Sequence, residues 1–331
     1  MNGENVIGPV LAAYPPQYQP RDVEDLGAAG GFSGARFWRL ATPAGVLCLR
    51  RWPADHPSPE RLSYIHAVLQ HAHRQGAAVI PVPLPCCDRR TFVKHAGHLW
   101  ELTRWLPGAA VYHQSPSRAR LASAMHALAQ FHIATSRFEG SQAGLIPSPA
   151  VQARKEQTDQ LLQGGCDQIA SSIRSGDWPE LARRGFRLLE LFRRHASHVV
   201  KQLESAASIT VPIQPCIRDV WHDHVLFTND VVTGIVDFGA LRGETVAGDV
   251  ARLLGSLAGD DAESWKLGMA AYQARRPLSA GEQHLVRVLD QSTLLLSGMN
   301  WLNWVYIQQR QFDDRPKIIA RLDDTLARLL L

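Results

Sequence analysis

The chain has 331 residues, a length that favours two domains or lobes over a single one. Hydrophobic residues make up 45% of it and charged residues 20%, a composition that excludes a disordered, collagen-like or fibrous protein. The formal net charge of +4 is small for the whole chain and gives no support to a nucleic-acid function, so we expect no nucleic-acid partner.

The cysteines and the N-terminal residues indicate where the protein works. The five cysteines form an odd set without a C-x-x-C pair, which argues against a disulfide framework or a structural zinc site. Residues 1–20 lack the basic and apolar regions of a signal peptide. No apolar run reaches the ~18–20 residues of a membrane-spanning helix. We therefore expect a cytoplasmic protein without membrane contacts.

The first third of the chain is predicted to be rich in strands. Residues 1–22, which are rich in proline and polar residues, are expected to form a loose leader, and residues 23–104 a small lobe. Within that lobe, residues 37–50 are predicted to form a hairpin around a Pro/Gly turn, and the apolar spacing of residues 60–75 predicts one helix. Further short strands are predicted at residues 78–80, 91–93 and 99–102.

Helical patterns dominate from about Pro107 onward. Predicted helices occupy residues 118–135, 179–206 and 280–309. One β-rich segment interrupts them, a predicted hairpin over residues 225–238. Residues 105–331 are therefore expected to form a larger, mainly helical lobe, which makes the chain an α+β protein with the small β-rich lobe first.

Two aspartates flank the predicted hairpin of the second lobe. Asp219 precedes its first strand and Asp237 follows its second strand. A tight hairpin brings such positions to the same end of a small sheet, where two carboxylates can share the work of phosphoryl transfer. One would orient the attacking hydroxyl and the other would hold the metal ion on ATP. As the alternative, both aspartates cap turns.

These features follow one another in a familiar order: a glycine-rich hairpin, a basic residue on the next strand, a helix, a Leu-Trp-Glu-Leu strand and the two-aspartate hairpin. The runs Ile217-Arg218-Asp219, His224-Val225-Leu226 and Ile235-Val236-Asp237-Phe238 match the pattern H-G-D-x-x-x-x-N-x-L followed by I-D-F. From about Asp25 to its end, the chain resembles the aminoglycoside phosphotransferase, choline kinase and homoserine kinase family. The resemblance implies a two-lobed, protein-kinase-like fold and ATP-dependent phosphorylation of a hydroxyl on a small molecule.

The resemblance also implies roles for single residues. Asp219 would position and deprotonate the acceptor hydroxyl, and Asp237 would bind the Mg²⁺ ion on ATP. The stretch from Leu99 to Gly108 is similar to the strand and hinge that hold adenine in homoserine-kinase-type relatives, which implies backbone contacts from Glu101 and Leu102. The segment Gly248-Asp249-Val250-Ala251 is similar to the family's D-L-A segment, whose aspartate is mainly structural.

Two positions depart from the family pattern. Ile217-Arg218 replaces the His-Gly before the first aspartate, and His224 stands where the metal-binding Asn falls. A neutral imidazole suits softer metals better than it suits Mg²⁺. His224 is therefore a candidate metal ligand, and His222, Asp223 and His224 together could supply a different ligand set that tolerates Mn²⁺. As the alternative, these histidines face solvent or bond the loop backbone.

The glycine-rich segment and the strand after it supply candidate phosphate contacts. Glycines let backbone amides approach phosphates, and a serine adds a hydroxyl donor. The candidates in the loop are Gly30, Gly31, Ser33 and Gly34. Their spacing is neither G-x-G-x-x-G nor a Walker A sequence, so a flexible hairpin tip is the alternative. Arg50 stands where the family has its phosphate-pairing Lys or Arg, and Glu60 is the nearby candidate for its acidic partner on the helix.

The sequence thus predicts a magnesium-requiring, ATP-dependent phosphotransferase for a small molecule. The alternative is a pseudokinase, a nucleotide-binding module without turnover. Replacement of the Asn by His224 and of the His-Gly by Ile217-Arg218 favours that alternative, and retention of both aspartates opposes it. The segments that would bind the acceptor carry no readable motif, so the acceptor is left unidentified.

Overall fold

A computed structural model describes most of the chain, and its backbone contacts divide the chain into two units. Unit 1 comprises Met1–Glu139 and His222–Arg242, and unit 2 comprises Gly140–Trp221 and Gly243–Leu331. The described residues are 4–28, 32, 34–139, 142–174, 176, 178–312 and 314–330.

Strands dominate the first hundred residues and helices the remainder. The strands are β1 (Asp22–Gly27), β2 (Arg36–Thr42), β3 (Gly45–Arg51), β4 (Val93–His95), β5 (His98–Arg104), β6 (Gln142–Pro147), β7 (Thr210–Cys216), β8 (Val225–Thr228), β9 (Val231–Ile235) and β10 (Arg242–Glu244). The α-helices are α1 (Glu4–Leu11), α2 (Pro59–Arg74), α3 (Arg118–Thr135), α4 (Pro149–Gln160), α5 (Cys166–Ser172), α6 (Pro179–Ala206), α7 (Val246–Ala258), α8 (Ala262–Gln273), α9 (Ala280–Leu302) and α10 (Arg315–Leu329). Both predicted hairpins and the helices α2, α3 and α6 are confirmed.

Unit 1 is built on a five-stranded antiparallel sheet with the strand order β1-β2-β3-β5-β4. Because side chains alternate along a strand, each face of the sheet has its own composition. One face is apolar and carries the buried side chains of Leu47, Leu49 and Leu102. The opposite face carries Arg50 and Glu101, which are paired across β3 and β5.

The N-terminal segment packs on the apolar face of this sheet. Ile7, Val10, Leu11 and Tyr14 are buried in one cluster with side chains of β2, β3 and β5. The loose leader expected for residues 1–22 is therefore wrong. The four residues are spaced three and four apart, which places them on one side of a helix and its continuation. That periodicity outweighs the local content of proline and polar residues.

Residues 78–80 do not form the predicted strand. They lie in an irregular segment between α2 and β4, where the carbonyl of Val79 accepts the amide hydrogen of Ile235. Prolines 81, 83 and 85 follow at every second position, and proline has no amide hydrogen to donate to a neighbouring strand. The strand predicted over residues 91–93 begins only at Val93.

Unit 2 is mainly helical. Its long helices α6 and α9 pack against each other, and α4, α7 and α10 also contact α9. The crossing of α6 and α9 is close because Gly298 has no side chain: a Cβ atom there would lie 2.6 Å from Cδ2 of Leu188. The helix predicted over residues 280–309 is α-helical as far as Leu302 and continues as a π-helical turn to Ile307. A small sheet of β10, β7 and β6 completes the unit.

The two units group the chain differently from the expected lobes. α3 and the β8–β9 hairpin belong to unit 1, although the expected second lobe, residues 105–331, includes them. The division into residues 23–104 and 105–331 stays a prediction. Within the described part of the chain, no helix is long and apolar enough to cross a membrane.

Candidate active site

A buried arginine–glutamate pair lies on the sheet of unit 1. The register of β2, β3 and β5 places Phe37, Arg50 and Glu101 opposite one another on one face. Arg50 is only 9% exposed, and its Nη1 atom lies 4.0 Å from Oε1 of Glu101. Its guanidinium also stacks on Trp52, 3.4 Å from the ring centroid. A carboxylate and an aromatic ring thus fix the orientation of Arg50.

Glu101 is connected in turn to helix α2. Nε2 of His66 donates to Oε2 of Glu101 at 2.5 Å, and Nδ1 of His66 lies 2.7 Å from the hydroxyl of Thr91. Burial raises the pKa of Glu101, but the hydrogen bond from His66 and the charges of His66 and Arg50 outweigh burial and hold this pKa below its ordinary value. Glu101 therefore stays ionised and serves as a counter-charge for Arg50.

Glu60, the acidic partner of Arg50 expected from the sequence, is not the carboxylate that pairs with Arg50. It is exposed in the first turn of α2, where hydrogen bonds from its own amide and from Ser58 lower its pKa. The position of α2 that reaches the sheet is occupied by His66 instead. Its place in the apolar stripe of the helix, four residues after Leu62, is the sequence feature that could have indicated this contact.

The Glu101→Gln substitution should lower the free energy of unfolding by about 2–4 kcal/mol, because the buried Arg50 loses a charged neighbour. Glu60→Gln is the matched control: it removes an exposed carboxylate near the start of a helix and should lower the free energy of unfolding much less. Urea-induced unfolding of both variants measures the difference. Equal losses would contradict the assignment of Glu101 as the partner of Arg50.

Asp237 follows β9 and also contacts Arg50. Its backbone has a φ of +63°, which is uncommon for a residue with a side chain, and the amide of Gly239 hydrogen-bonds its carboxylate. Nη2 of Arg50 donates to Oδ1 of Asp237 at 3.3 Å. Burial raises the pKa of Asp237, but the charges of Arg50 and His224 and the hydrogen bond from Gly239 hold it below its ordinary value. Asp237 is therefore an ionised carboxylate beside a buried cation.

His224 lies next to the same carboxylate. Its Nε2 atom is 3.8 Å from Oδ2 of Asp237. Its carbonyl accepts the amide hydrogen of Val236, so the β8–β9 hairpin holds His224 and Asp237 at the same end. The structure thus places the residue at the expected Asn position beside the candidate metal ligand.

Only some of the residues expected to contact ATP in unit 1 are among the described residues. Three of the four loop residues lie outside the described residues: Gly30, Gly31 and Ser33. Gly34 precedes β2 with a φ of +76°, a left-handed conformation that glycine adopts without strain. Leu102 lies inside β5, where its side chain is buried and its carbonyl accepts the amide hydrogen of Leu84.

In unit 2, Asp219 lies in the loop that follows β7. The amides of Ile217 and Arg218 donate to the two carboxylate oxygens of Asp249 at 2.7 and 2.6 Å. Asp249 belongs to the first turn of α7 and is 1% exposed. It anchors the backbone directly before Asp219, which agrees with the structural role that the resemblance implies for it.

Arg218 adopts a backbone conformation typical of glycine. Its φ of +68° is in the left-handed region, where a Cβ atom crowds the following carbonyl. The family pattern has glycine at this position, so the turn is retained here although the residue differs. Arg218 thus places a cationic side chain next to Asp219 at some conformational cost.

The side chain of Asp219 is held by α7. Nη2 of Arg252 donates to Oδ1 of Asp219. Arg252 lies three residues after Asp249, so one face of α7 positions both the backbone and the carboxylate of the Asp219 loop. The side chain of Asp219 is 47% exposed and therefore accessible to a ligand. The sequence analysis did not identify Arg252, although its spacing of three residues from Asp249 indicates that both lie on one face of a helix.

Asp249→Asn should destabilise the protein by about 2–3 kcal/mol, since the NH₂ group of Asn faces a backbone amide that needs an acceptor. Asp261→Asn is the control, because that exposed carboxylate caps the start of α8 by accepting the amide hydrogen of Ser264, and Asn caps helices equally well. Thermal unfolding compares the two variants. An Asp249→Asn protein as stable as the wild type would show that Asp249 does not anchor the loop.

The strand, helix and loop elements described above are those of a protein-kinase-like phosphotransferase of the α+β class. The chain belongs to the phosphotransferase enzyme family, whose match covers residues 26–284. The homoserine kinase of Rhodopseudomonas palustris is 26% identical over 304 residues, which are 85% of this chain and 82% of that protein. The homoserine kinase of Azorhizobium caulinodans is 26% identical over 291 residues, 84% of this chain and 80% of that protein. The protein is thus an ATP-dependent phosphotransferase that acts on a hydroxyl of a small molecule.

Solved structures share the fold at lower identity. An aminoglycoside phosphotransferase from Alicyclobacillus acidocaldarius has a TM-score of 0.56 and 20% identity, over 97% of this chain and 96% of that one. A spectinomycin phosphotransferase in complex with ADP and spectinomycin has a TM-score of 0.60 and 11% identity, over 98% of this chain and 99% of that one. A microcompartment-associated aminopropanol kinase has a TM-score of 0.62 and 15% identity, over 94% of this chain and 93% of that one. These likenesses confirm the predicted two-lobed, kinase-like fold.

Proposed function

We propose that residues of unit 1 bind ATP with a divalent metal ion and that Asp219 of unit 2 takes the proton of the acceptor hydroxyl. The observation that carries the proposal is the carboxylate of Asp237, which lies between Arg50 and His224 and stays ionised. An anionic metal ligand beside a buried cation is what binding of a metal–phosphate complex requires.

Arg50 supplies positive charge for the phosphates. Its guanidinium is stacked on Trp52 and paired with Glu101, so little side-chain freedom is lost when a ligand binds. An arginine fork matches two phosphate oxygens. The backbone amides of Gly30, Gly31 and Gly34 and the hydroxyl of Ser33 remain predicted contacts to the same phosphates.

The metal ion implied by the family is Mg²⁺, with Mn²⁺ as the alternative. The donor set fits a divalent ion: Asp237 offers an ionised carboxylate, and His224 offers an imidazole nitrogen 3.8 Å from it. Asp237 and His224 would hold the ion, and the nitrogen ligand suits Mn²⁺ better than Mg²⁺. Bound there, the ion supplies charge neutralisation on the phosphates.

Adenine is assigned to the chain that follows β5. The sequence predicts backbone contacts from Glu101 and Leu102, but both residues lie inside the sheet, where neighbouring strands engage the backbone. Beyond the last strand residue, Arg104, the amide of Trp105 donates to the carbonyl of Val46 and the carbonyl of Pro107 accepts the hydroxyl of Thr233. We assign the adenine contacts to the other backbone groups of residues 105–108.

The chemical step uses Asp219 as general base. The acceptor oxygen forms a bond to the γ-phosphorus, and the bond from that phosphorus to the β–γ bridging oxygen breaks. The proton of the acceptor hydroxyl passes to the carboxylate of Asp219 and then to solvent. The products are ADP and the phosphorylated acceptor. Arg252 is a positioning residue, because it acts through its hydrogen bond to Asp219.

Two measurements on the purified protein test this function. Calorimetric titration of ATP with Mg²⁺, with Mn²⁺ and with EDTA should show binding that requires a metal ion. A coupled assay of ADP formation should show turnover that depends on an acceptor, with homoserine, spectinomycin and aminopropanol as the first compounds because relatives are named after them.

The same experiments separate the alternatives. Metal-independent ATP binding without turnover for any acceptor would favour a nucleotide-binding module, the reading that His224 at the Asn position supports. No ATP binding under any condition would contradict both functions. A cytoplasmic location stays a prediction from the sequence.

A further inference from the structure

Helix α7 anchors the Asp219 loop before and at the aspartate itself. Asp249 holds the backbone that precedes Asp219, and Arg252 donates to its carboxylate. The part of the loop after Asp219 is short, since only Val220 and Trp221 follow before the chain enters unit 1. A general base has to be held on both sides, because a misplacement of about 1 Å can slow a reaction ~10²-fold.

The residues after Asp219 are anchored by helix α10. The guanidinium of Arg321 lies over the indole of Trp221, with its Cζ atom 3.9 Å from the ring centroid. At this distance the cation is stacked on the negative face of the ring. Val220 is fully buried between Asp219 and Trp221, so a shift of the indole has to move the backbone of Asp219 or displace packed side chains.

Helix α10 is held in place by contacts that do not involve Arg321. It packs against α6 and α9. Two nitrogen atoms of Arg184 in α6 donate to the two carboxylate oxygens of Asp323, at 2.6 and 2.8 Å. Near the end of the helix, Arg328 donates to Asp290 of α9 at 3.0 Å. Removal of the guanidinium of Arg321 should therefore leave α10 where it is.

The stack on Trp221 is the first contact in a longer row of aromatic and cationic side chains. Cζ of Arg321 also lies 6.0 Å from a ring centroid of Trp301, which is 8% exposed at the end of α9. Trp301 meets Trp304 edge to face at a centroid separation of 5.0 Å, and Arg310 lies 5.4 Å from the ring centroid of Trp304. The row thus connects the loop with the end of α9.

We infer that Trp221 and Arg321 are positioning residues, which hold the carboxylate of Asp219 in the orientation that proton transfer requires. The inference rests on the proposed role of Asp219, because both residues act through it. It gives α10 a part in the reaction, although that helix lies beyond residues 26–284, which the family match covers. The alternative is a stack that only stabilises unit 2.

The first test measures the kinetics of Arg321→Met, which removes the charged, planar group and keeps an unbranched side chain. The acceptor is whichever of homoserine, spectinomycin and aminopropanol the assay of ADP formation shows to be phosphorylated. We expect kcat to fall about 10- to 100-fold. The KM for the acceptor and the Kd of ATP should be nearly unchanged, because a positioning residue affects the chemical step. Arg321→Lys keeps the charge and should recover part of kcat.

Arg315→Met is the matched control on the same helix. Arg315 also stacks on an indole, with its Cζ atom 4.9 Å from the ring centroid of Trp178, but Trp178 precedes α6 and not the Asp219 loop. This variant should leave kcat unchanged. A wild-type kcat in Arg321→Met would overturn the inference. A rise in the KM for the acceptor alone would assign Arg321 to acceptor binding and would overturn it as well.

A double variant tests whether Arg321 acts through Trp221. If it does, the enzyme with both Trp221→Leu and Arg321→Met should have about the same kcat as the slower single variant. Trp221→Phe, which keeps a ring, replaces Trp221→Leu if that protein does not fold. Effects that multiply in the double variant would show that the two residues act independently, and the inference would be wrong.

Hydrogen exchange covers the case in which no acceptor is phosphorylated, an outcome that would overturn the proposed function. Mass spectrometry follows amide exchange in a peptide that covers residues 217–221. We expect exchange there to be at least about 10-fold faster in Arg321→Met, or in Arg321→Lys if the first variant does not fold, and unchanged in Arg315→Met. This result supports positioning of the loop even without turnover. Equal exchange in all proteins, or faster exchange throughout unit 2, would overturn the inference.

Discussion

An Asp219→Asn enzyme is expected to turn over ~10²- to 10⁴-fold more slowly than the wild type, with nearly unchanged affinity for ATP. Asn has the same shape and keeps an oxygen that can accept the hydrogen bond from Arg252. It cannot take a proton from the acceptor hydroxyl. The measurements are kcat from ADP formation at saturating acceptor and the Kd of ATP by calorimetry.

The control for this variant is Asp167→Asn. Asp167 is also an aspartate of unit 2 that pairs with an arginine, at 2.8 Å from Arg193, but its side chain is 82% exposed. It should change kcat by less than about twofold, as exposed ion pairs contribute little. Comparable turnover in the Asp219→Asn and wild-type enzymes would refute the base assignment, whatever the control shows.

The Asp237→Asn protein should lose the metal dependence of ATP binding. In Mg²⁺ we expect the affinity for ATP to fall ~10²-fold, because the charged metal ligand is gone. In EDTA we expect an affinity equal to or higher than that of the wild type, because the substitution removes a negative charge 3.3 Å from the guanidinium of Arg50. Titrations of ATP in Mg²⁺, Mn²⁺ and EDTA give the two opposite changes in one experiment.

Asp230→Asn is the matched control in the same hairpin region. Asp230 pairs with Arg120 at 3.2 Å, and its side chain is 59% exposed. This variant should bind ATP as the wild type does in all three conditions. If the Asp237→Asn protein kept the wild-type response to Mg²⁺, the metal would have to be held elsewhere and the proposed site would be wrong.

The local parts of the site could be predicted from the sequence. The hairpin strands β8 and β9 follow from short β-rich runs around the Asn229-Asp230 turn, although β9 covers Val231–Ile235 and ends before the predicted limit, Phe238. The positions of Asp237 and His224 depend on that hairpin alone. Short-range patterns of this kind specify structure within about ten residues and therefore place these two side chains correctly.

The partner of Arg50 could not be found in the same way. Glu60 is nearest along the chain, but Glu101 is the neighbour across the sheet, because β3 pairs with β5 over the intervening helix. Strand register over such a separation is decided by packing of whole faces. The hydrogen bond from Arg252 to Asp219 is a contact of the same kind, since it joins α7 to a loop about thirty residues earlier in the chain.

The contacts of α1 imply that its apolar side is exposed to solvent during part of the synthesis of the chain. The buried residues of α1 cluster with strand residues as far along as Leu102. When the first helix leaves the ribosome, the surface that covers it has not been made, and it stays uncovered until β5 follows. A nascent chain arrested before Leu102 therefore displays an apolar stripe to solvent, which is the kind of surface that chaperones bind and that promotes aggregation.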